Sequence, residues 1–422
     1  MRVNKSIYKK EMWDVAVIGG GPAGMIAAGR AAELGAKVIL IEKNKRLGEK
    51  LLITGGGRCN VLNGETDMRK LLSKYGENDK FLFSAFSQFS SREALDFFHS
   101  HNMPTIEEAG KRVFPETQKS SSVWNVMIEY MRTHNVLVRS NSPVVKFTRN
   151  NGKIEAVVLK NGEEIKANSF ILATGGKSRP ETGSTGDGFL WLKDLGHTVI
   201  NPVPALVPVT VKDAWVKSLM GVSVSPVKVT VLQNNIKQEV KKGKILFTHF
   251  GLSGPTILNM SLGISELLKF GEVTISLDIF PAHDHSAMNT LLQELFREYS
   301  NKKIKNSLGK IIPSALLPVI FLLLNINSDT FCRSITREQR LSLITLLKGI
   351  PIKVKGLLGA EKAIITSGGV SLDEVDFKTM RSRIYRNLYL VGDILNIDRP
   401  SGGYSLQLCW TTGYVAGSSA AA

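Results

Sequence analysis

Between residues 14 and 43 the apolar positions change period twice. Val15, Val17 and Ile18 crowd into a short strand, Ala23 to Leu34 is rich in Ala and small residues, and Val38 to Ile41 is a second run of strand length. Gly35 closes the middle stretch, so DVAVIGGGPAGMIAAGRAAELGAKVILIEK predicts strand, glycine turn, helix, strand. A third buried strand, Phe170 to Ala173, ends in Thr174-Gly175-Gly176. Another, in NLYLVGDILN (387–396), ends in Gly392-Asp393, and RPSGGYSLQLCWTTGYVAGSSAA (399–421) then predicts a glycine turn and a terminal helix. From 199 to 362 the texture differs. PALVPVTVKD, VSVSPVKVTVLQNN, KGKILFTHFG and EVTISLDIF alternate with period two between turn signals, which predicts a small β-barrel or sandwich. AMNTLLQELFREYSNKK and TREQRLSLITLLKG carry the period of amphipathic helices.

The first unit contains chemistry as well as folding information. Gly19, Gly21 and Gly24 are spaced G-x-G-x-x-G, with a strand before, a helix after, and Glu42 at the end of the second strand. In that context the spacing is a dinucleotide-binding fingerprint. Gly19 permits the turn, Gly21 leaves room for a pyrophosphate, and Gly24 lets helix and strand pack. The helix N-terminus offers unpaired N–H groups and partial positive charge. Glu42 is placed to accept hydrogen bonds from ribose hydroxyls and would repel a 2′-phosphate, so the nucleotide held here is not expected to be NADP. The downstream strands favour FAD over NAD. Asp393 is placed for a ribitol hydroxyl. The N–H groups from Gly403 to Leu406 would face the flavin N1 and C2 carbonyl, stabilising the reduced ring.

A second glycine cluster, TGGGRCN (54–60), is embedded between EKLLI and VLN, which argues against a linker and for close approach of another group to the backbone.

Taken together, GGGPAG, TGGGRCN, RVFP, ATGG, STGDG, LFTHFGLSGP, SGGV, LYLVGD and SGGYSLQ resemble, in order and over nearly the whole length, the BaiN/YhiN-like family of FAD-dependent oxidoreductases. Relatives there include enzymes described as aminoacetone oxidases and bile-acid ene-reductases. The chain departs mildly, with Asp393 where the family usually has Glu and Ser405 where it has Asn. The resemblance implies that the 54–60 loop lies along the FAD near the pyrophosphate and flavin, with Arg58 offering fixed charge and Cys59 a packing or flavin contact rather than redox chemistry. The expected cofactor set is Gly19, Gly21, Pro22, Ala23, Gly24, Glu42, Lys43, Gly57, Arg58, Cys59, Asn60, Val144, Ala173, Thr174, Gly175, Gly392, Asp393, Gly403, Tyr404, Ser405 and Leu406. Gly368-Gly369-Val370 is expected to lie against the flavin as a tight turn. The implied fold is α/β, a Rossmann-like FAD-binding domain interrupted by a β-rich insert domain with a helical subdomain. Residues 1–198 and 363–422 form the FAD-binding part, 199–284 a barrel-like insert, 285–348 the helical part, and 349–362 the return strands.

The 422 residues are 43% hydrophobic and 22% charged, ordinary globular values. The basic opening, MRVNKSIYKKEM, is followed by an apolar run that breaks at Gly19, so no signal peptide is expected. The longest apolar run, ALLPVIFLLL (315–324), is too short to span a bilayer. Cys59, Cys332 and Cys409 are widely separated and give neither a disulfide framework nor a zinc pattern, consistent with a reducing cytoplasm. The net charge of +17 is scattered and accompanies no nucleic-acid motif, so no specific nucleic-acid or membrane partner is expected. Nothing in the sequence marks an oligomeric state.

His249, delivered by LFTHFGLSGP, is the candidate proton donor, against a structural role in a turn. His283 and His285 read as a surface loop rather than a metal pair, and His197 as structural. There is no second G-x-G-x-x-G and no C-x₄-C, which excludes a separate NAD(P)H domain and the usual disulfide reductases. NAD(P)H remains a candidate reductant that docks directly over the flavin. The function expected is hydride transfer between flavin N5 and a small organic substrate, NAD(P)H, or both. The alternatives are an oxidase of small amines or aminoketones using oxygen, and a non-catalytic FAD-bound binding protein.

Overall fold

A computed structural model describes residues 12–422. The basic opening stretch, and with it the expectation about a leader, lies outside the described residues. The chain divides into two compact units, one running up to Ala205 and resuming with Ala360–Ala422, the other Leu206–Gly359.

The first unit is built on a seven-stranded sheet. Met12–Ile18 lies parallel between Val38–Ile41 and Glu164–Leu172, with Leu137–Arg139 beyond Val38–Ile41. Leu388–Leu390 adds a further parallel strand along the last part of Glu164–Leu172. Lys153–Leu159 and Val144–Asn150 continue the sheet antiparallel. The central parallel strands are buried on both faces, which explains their continuous apolar runs. Pro22 opens the helix Pro22–Glu33, where a missing N–H costs nothing. The terminal helix Tyr404–Ala421 packs on it through bare positions. A Cβ on Gly413 would lie 2.4 Å from the Ala23 carbonyl oxygen, and one on Gly417 2.5 Å from that of Ala27.

The second unit is a closed barrel of six strands. Its longest strands, Ser223–Gln233 and Ile236–Phe247, form a hairpin, and the helices Pro255–Leu267, His285–Glu298, Leu317–Leu324 and Arg337–Leu347 share its apolar core. The period-two pattern left barrel and sandwich open; strand pairing closes the barrel.

Two expectations are corrected. Val199–Ala205, read as the start of the insert, pairs antiparallel with Ile365–Val370 inside the first unit. Gly368 and Gly369 belong to that strand rather than to a tight turn. Their bareness admits the Asn201 carbonyl oxygen, 2.4 Å from where a Gly368 Cβ would sit, and the Ile394 carbonyl oxygen at 2.7 Å for Gly369. Among the described residues no helix is long and apolar enough to cross a membrane, and no His, Cys, Asp and Glu cluster could hold a metal ion.

Candidate cofactor site

Register puts the site together. Ile18 pairs with Ile41 and Leu172, and Leu172 pairs with Leu390, so four parallel strands end at one level. The next residues, Gly19, Glu42, Ala173 and Val391, all line one cavity that is partly open to solvent. Crevices at the carboxyl ends of parallel strands are where open α/β sheets bind ligands.

The glycine turn does three separate jobs there. Gly19 has φ 106° and a Cβ on it would lie 2.5 Å from the Ala173 carbonyl oxygen, so turn and strand end touch only because it is bare. A Cβ on Gly24 would lie 1.9 Å from the Gly19 carbonyl oxygen, which is how the helix seats on the turn. Gly21 has no atom within 4 Å of a would-be Cβ, although it lines the cavity. Its φ of −79° suits any residue, so the empty space rather than the backbone needs glycine.

Glu42 is buried, and each carboxylate oxygen accepts one backbone N–H: Oε2 from Gly20 at 2.7 Å, Oε1 from Asn44 at 2.8 Å. Burial raises its pKa, and those two hydrogen bonds pull it back down. A carboxylate has about four lone-pair sites, so acceptor capacity remains toward the cavity. Lys43 donates to Thr185 (2.6 Å) and Asp187 (2.7 Å). Thr174 Oγ1 is buried on the cavity wall and has no hydrogen-bond partner among the described residues.

Asp393 sits in a charged network. Its Oδ1 accepts from Arg399, whose guanidinium also donates to Ser405 Oγ (3.1 Å) and the Ile397 carbonyl oxygen (2.7 Å). Its Oδ2 lies 3.5 Å from Lys50 Nζ, which donates to Ser178 Oγ at 2.7 Å. Arg399 is fully enclosed, and Lys50 is about a quarter exposed. Burial, with Arg399 and Arg179 nearby, lowers the Lys50 pKa to about 8.

Of the expected cofactor set, Gly19, Gly21, Pro22, Ala23, Glu42, Lys43, Val144, Ala173, Thr174, Gly175, Gly392, Asp393, Ser405 and Leu406 line the cavity. Gly24, Gly57, Arg58, Cys59, Asn60, Gly403 and Tyr404 do not. Gly24 and Gly403 are committed to backbone packing, Gly403 against Leu62 and Asn63. Tyr404 is buried, and its carbonyl accepts from the Tyr75 hydroxyl at 2.9 Å. The Arg58 guanidinium pairs with Glu108, donates to Gln118, and lies 4.3 Å from the Phe114 ring centre, so its charge is already used. Cys59 is fully buried and its thiol is pushed up to about 12, which makes it unreactive. The 54–60 loop reaches the cavity through Thr54 alone. Asn60 Oδ1 is nonetheless a buried acceptor with no partner among the described residues.

His249 stands in the second unit at the tip of a turn closed by Thr248 and Gly251, whose backbone groups bond at 2.8 and 3.3 Å. Its ring is exposed, edge-on to Phe250 at 4.8 Å, with no hydrogen-bond partner among the described residues. His197 is buried and bonds Ser382 Oγ at 2.8 Å.

Sequence reasoning passed over Lys50, Asn44, Ser184 and Asp187, which also line the cavity, and Arg399 behind it. STGDG marked Ser184 and Asp187 as part of a motif without giving them a role. Lys50 had one signal, a lone cation between Gly48 and two leucines.

Residues 13–419 match the family described as HI0933-like protein Rossmann domain. The chain is 30% identical over 413 residues to a 3-dehydro-bile acid delta(4,6)-reductase of Clostridium scindens, covering 96% of this chain and 98% of that protein. It is 28% identical over 407 residues to a ribosomal RNA dihydrouridine synthase of Escherichia coli, covering 96% and 97%. Among solved structures, the 3-ketosteroid-Δ4-(5α)-dehydrogenase of Rhodococcus jostii shares the fold with a TM-score of 0.54 at 13% identity, covering 100% of this chain and 99% of that one.

Proposed function

Because the chain belongs to the HI0933-like Rossmann family of FAD-dependent oxidoreductases, we propose that FAD occupies the cavity and serves to reduce a carbon–carbon double bond conjugated to a carbonyl. The observation that carries the cofactor assignment is the single cavity reached by four strand ends, with Gly21 bare toward it. The spare lone pairs of Glu42, which lines the cavity, suit a ligand rich in hydroxyls. The reaction class draws support from the two full-length relatives. One is named for reducing Δ4,6 bonds of a 3-dehydro steroid acid, the other for making dihydrouridine.

FAD bound here would, once reduced, supply hydride at its N5. The chain's share is to hold the diphosphate at the N-terminus of Pro22–Glu33, the ribose at Glu42, and the ribityl chain beside Asp393. A proton must also reach the reduced substrate, and His249, exposed and without a hydrogen-bond partner among the described residues, is the candidate donor. NAD(P)H is the proposed reductant, docking without a domain of its own. The substrate proposed is a small conjugated ketone. Uridine within RNA is a second reading, favoured by the 28% identical relative.

Anaerobic stopped-flow mixing tests the proposal. Protein reduced with dithionite should return to the oxidised flavin spectrum with a Δ4-3-ketosteroid or a uridine-containing RNA, one alkene lost per flavin. Bleaching of the oxidised protein by aminoketones, with reoxidation by oxygen alone, would replace this reading with the amine oxidase. A flavin inert to every partner would leave a binding protein. His249→Gln should slow the alkene step about 10²–10⁴-fold per bound flavin while leaving the flavin spectrum intact.

A further inference from the structure

The charges around Asp393 do not cancel. Two cations, Lys50 and Arg399, contact a single carboxylate, and among the described residues no other acid pairs with Lys50 Nζ. Arg399 is enclosed and spends its donors on Asp393, Ser405 and Ile397. Lys50 is different. It lines the cavity, its shortest hydrogen bond goes to a neutral hydroxyl, and Asp393 is at 3.5 Å, the limit of useful contact. A partly enclosed ammonium held this way is costly unless a further anion joins it. The diphosphate of a dinucleotide is a permanent anion, but the glycine turn and the helix beginning at Pro22 already provide for it. The other anion in flavin chemistry forms only on reduction, in the pyrimidine part of the ring. Ser405 and Leu406, at the start of the terminal helix, line the same cavity, and Arg399 ties Ser405 to Asp393.

We infer that Lys50 is the counter-charge for the reduced flavin, a positioning residue that sets the reduction potential of bound FAD rather than its binding. The inference rests on FAD occupying this cavity. It assigns Ser178, fully buried, the task of holding the ammonium in place while the flavin is oxidised.

Reductive titration of FAD-loaded protein against a reference dye tests this. Lys50→Met should lower the preference for reduced over oxidised FAD about tenfold, a midpoint shift of about 30 mV downward for a two-electron couple. Lys50→Arg, which keeps the charge, should stay near the wild-type potential. If Lys50→Met does not fold, Lys50→Gln removes the charge with less change in polarity and carries the same expectation. An unshifted potential in a charge-removing variant that holds FAD would overturn the inference. So would equal weakening of oxidised and reduced FAD, which would place Lys50 on the diphosphate. Wild-type protein that takes up no FAD would instead fail the cofactor assignment, so the two failures are distinguishable.

Discussion

The chain contains two glycine clusters of similar look, GGGPAG at 19–24 and TGGG at 54–57, and the structure uses them in different ways. In the first, each glycine answers a different neighbour: a strand end at Gly19, open cavity at Gly21, the turn's own carbonyl at Gly24. In the second, nothing lies within 4 Å of a Cβ on Gly56 or Gly57, and one on Gly55 meets only the Asn60 nitrogen at 3.3 Å. What those three share is handedness, with φ of 61°, 68° and 88°, followed by Cys59 at 60°. The first cluster is bare because something must fit beside it. The second is bare because the chain must coil left-handed, which other residues resist. Glycine content alone therefore says little about a ligand; the backbone φ and whether the glycine lines the cavity say more.

Breaking the first cluster where it packs should do most harm. Gly24→Ala forces a methyl against the Gly19 carbonyl, so we expect about 3 kcal/mol or more of lost stability, together with loss of flavin. Chemical denaturation of the variant measures the first and absorbance at the flavin band the second. A fully stable Gly24→Ala protein would show that the turn is softer than its geometry.

Next in size is Glu42→Gln. The amide can accept only one of the N–H groups of Gly20 and Asn44, and its NH₂ would face the other. FAD affinity should fall by about 2 kcal/mol, the scale of a charge-assisted hydrogen bond, as measured by ultrafiltration. Unchanged affinity would mean that this carboxylate only braces the turn.

Gly56→Ala sharpens the contrast from the other side. The left-handed backbone should cost about 1 kcal/mol, read as a lower denaturation midpoint, while FAD affinity stays within about twofold. A large loss of FAD would put the second cluster beside the ligand after all.

The smallest effect concerns Lys50, whose folded pKa of about 8 lies below the ordinary 10.5. Below pH 8 both folded and unfolded chains hold the proton, and the cost of the buried charge is fully present. Between about 8 and 10.5 the unfolded chain holds a proton that the folded one has lost, so stability from this group rises with pH. Flavin-free wild type should therefore gain about 1 kcal/mol relative to Lys50→Met between about pH 7.5 and 9, followed by thermal melts in matched buffers. A difference that stays flat would assign Lys50 an ordinary pKa.

Much of the fold was legible because period is local. The run Val15–Ile18, the Ala-rich helix and Val38–Ile41 announce a βαβ unit, and the alternation in VSVSPVKVTVLQNN announces a strand that the barrel then pairs. Pairing itself is not local. Val199–Ala205 alternates like the barrel strands after it, yet its partner is Ile365–Val370, so pattern alone put the boundary of the insert too early. The site divides the same way. Gly19, Gly21 and Glu42 fall within one short unit and could be read together. Lys50 and Asp393 meet across 343 positions of sequence, and no spacing rule connects them. Arg58 misled for a related reason: a guanidinium beside glycines suggests a ligand, but Glu108 and Gln118, folded in from elsewhere, take its donors.

The central claim is that the empty space at Gly21 belongs to FAD, and flavin content measured on folded Gly21→Val tests it most directly. A Cβ there has no protein atom within 4 Å, and the backbone has φ −79°, so the variant should melt within about 2 °C of wild type. Both proteins would be desalted and denatured, and the released flavin quantified by chromatography against protein concentration. The account predicts close to one FAD per wild-type chain and a folded, colourless variant with affinity down more than about 100-fold, since the branched side chain fills the room left for the diphosphate. A Gly21→Val protein that is folded and as yellow as wild type would contradict it.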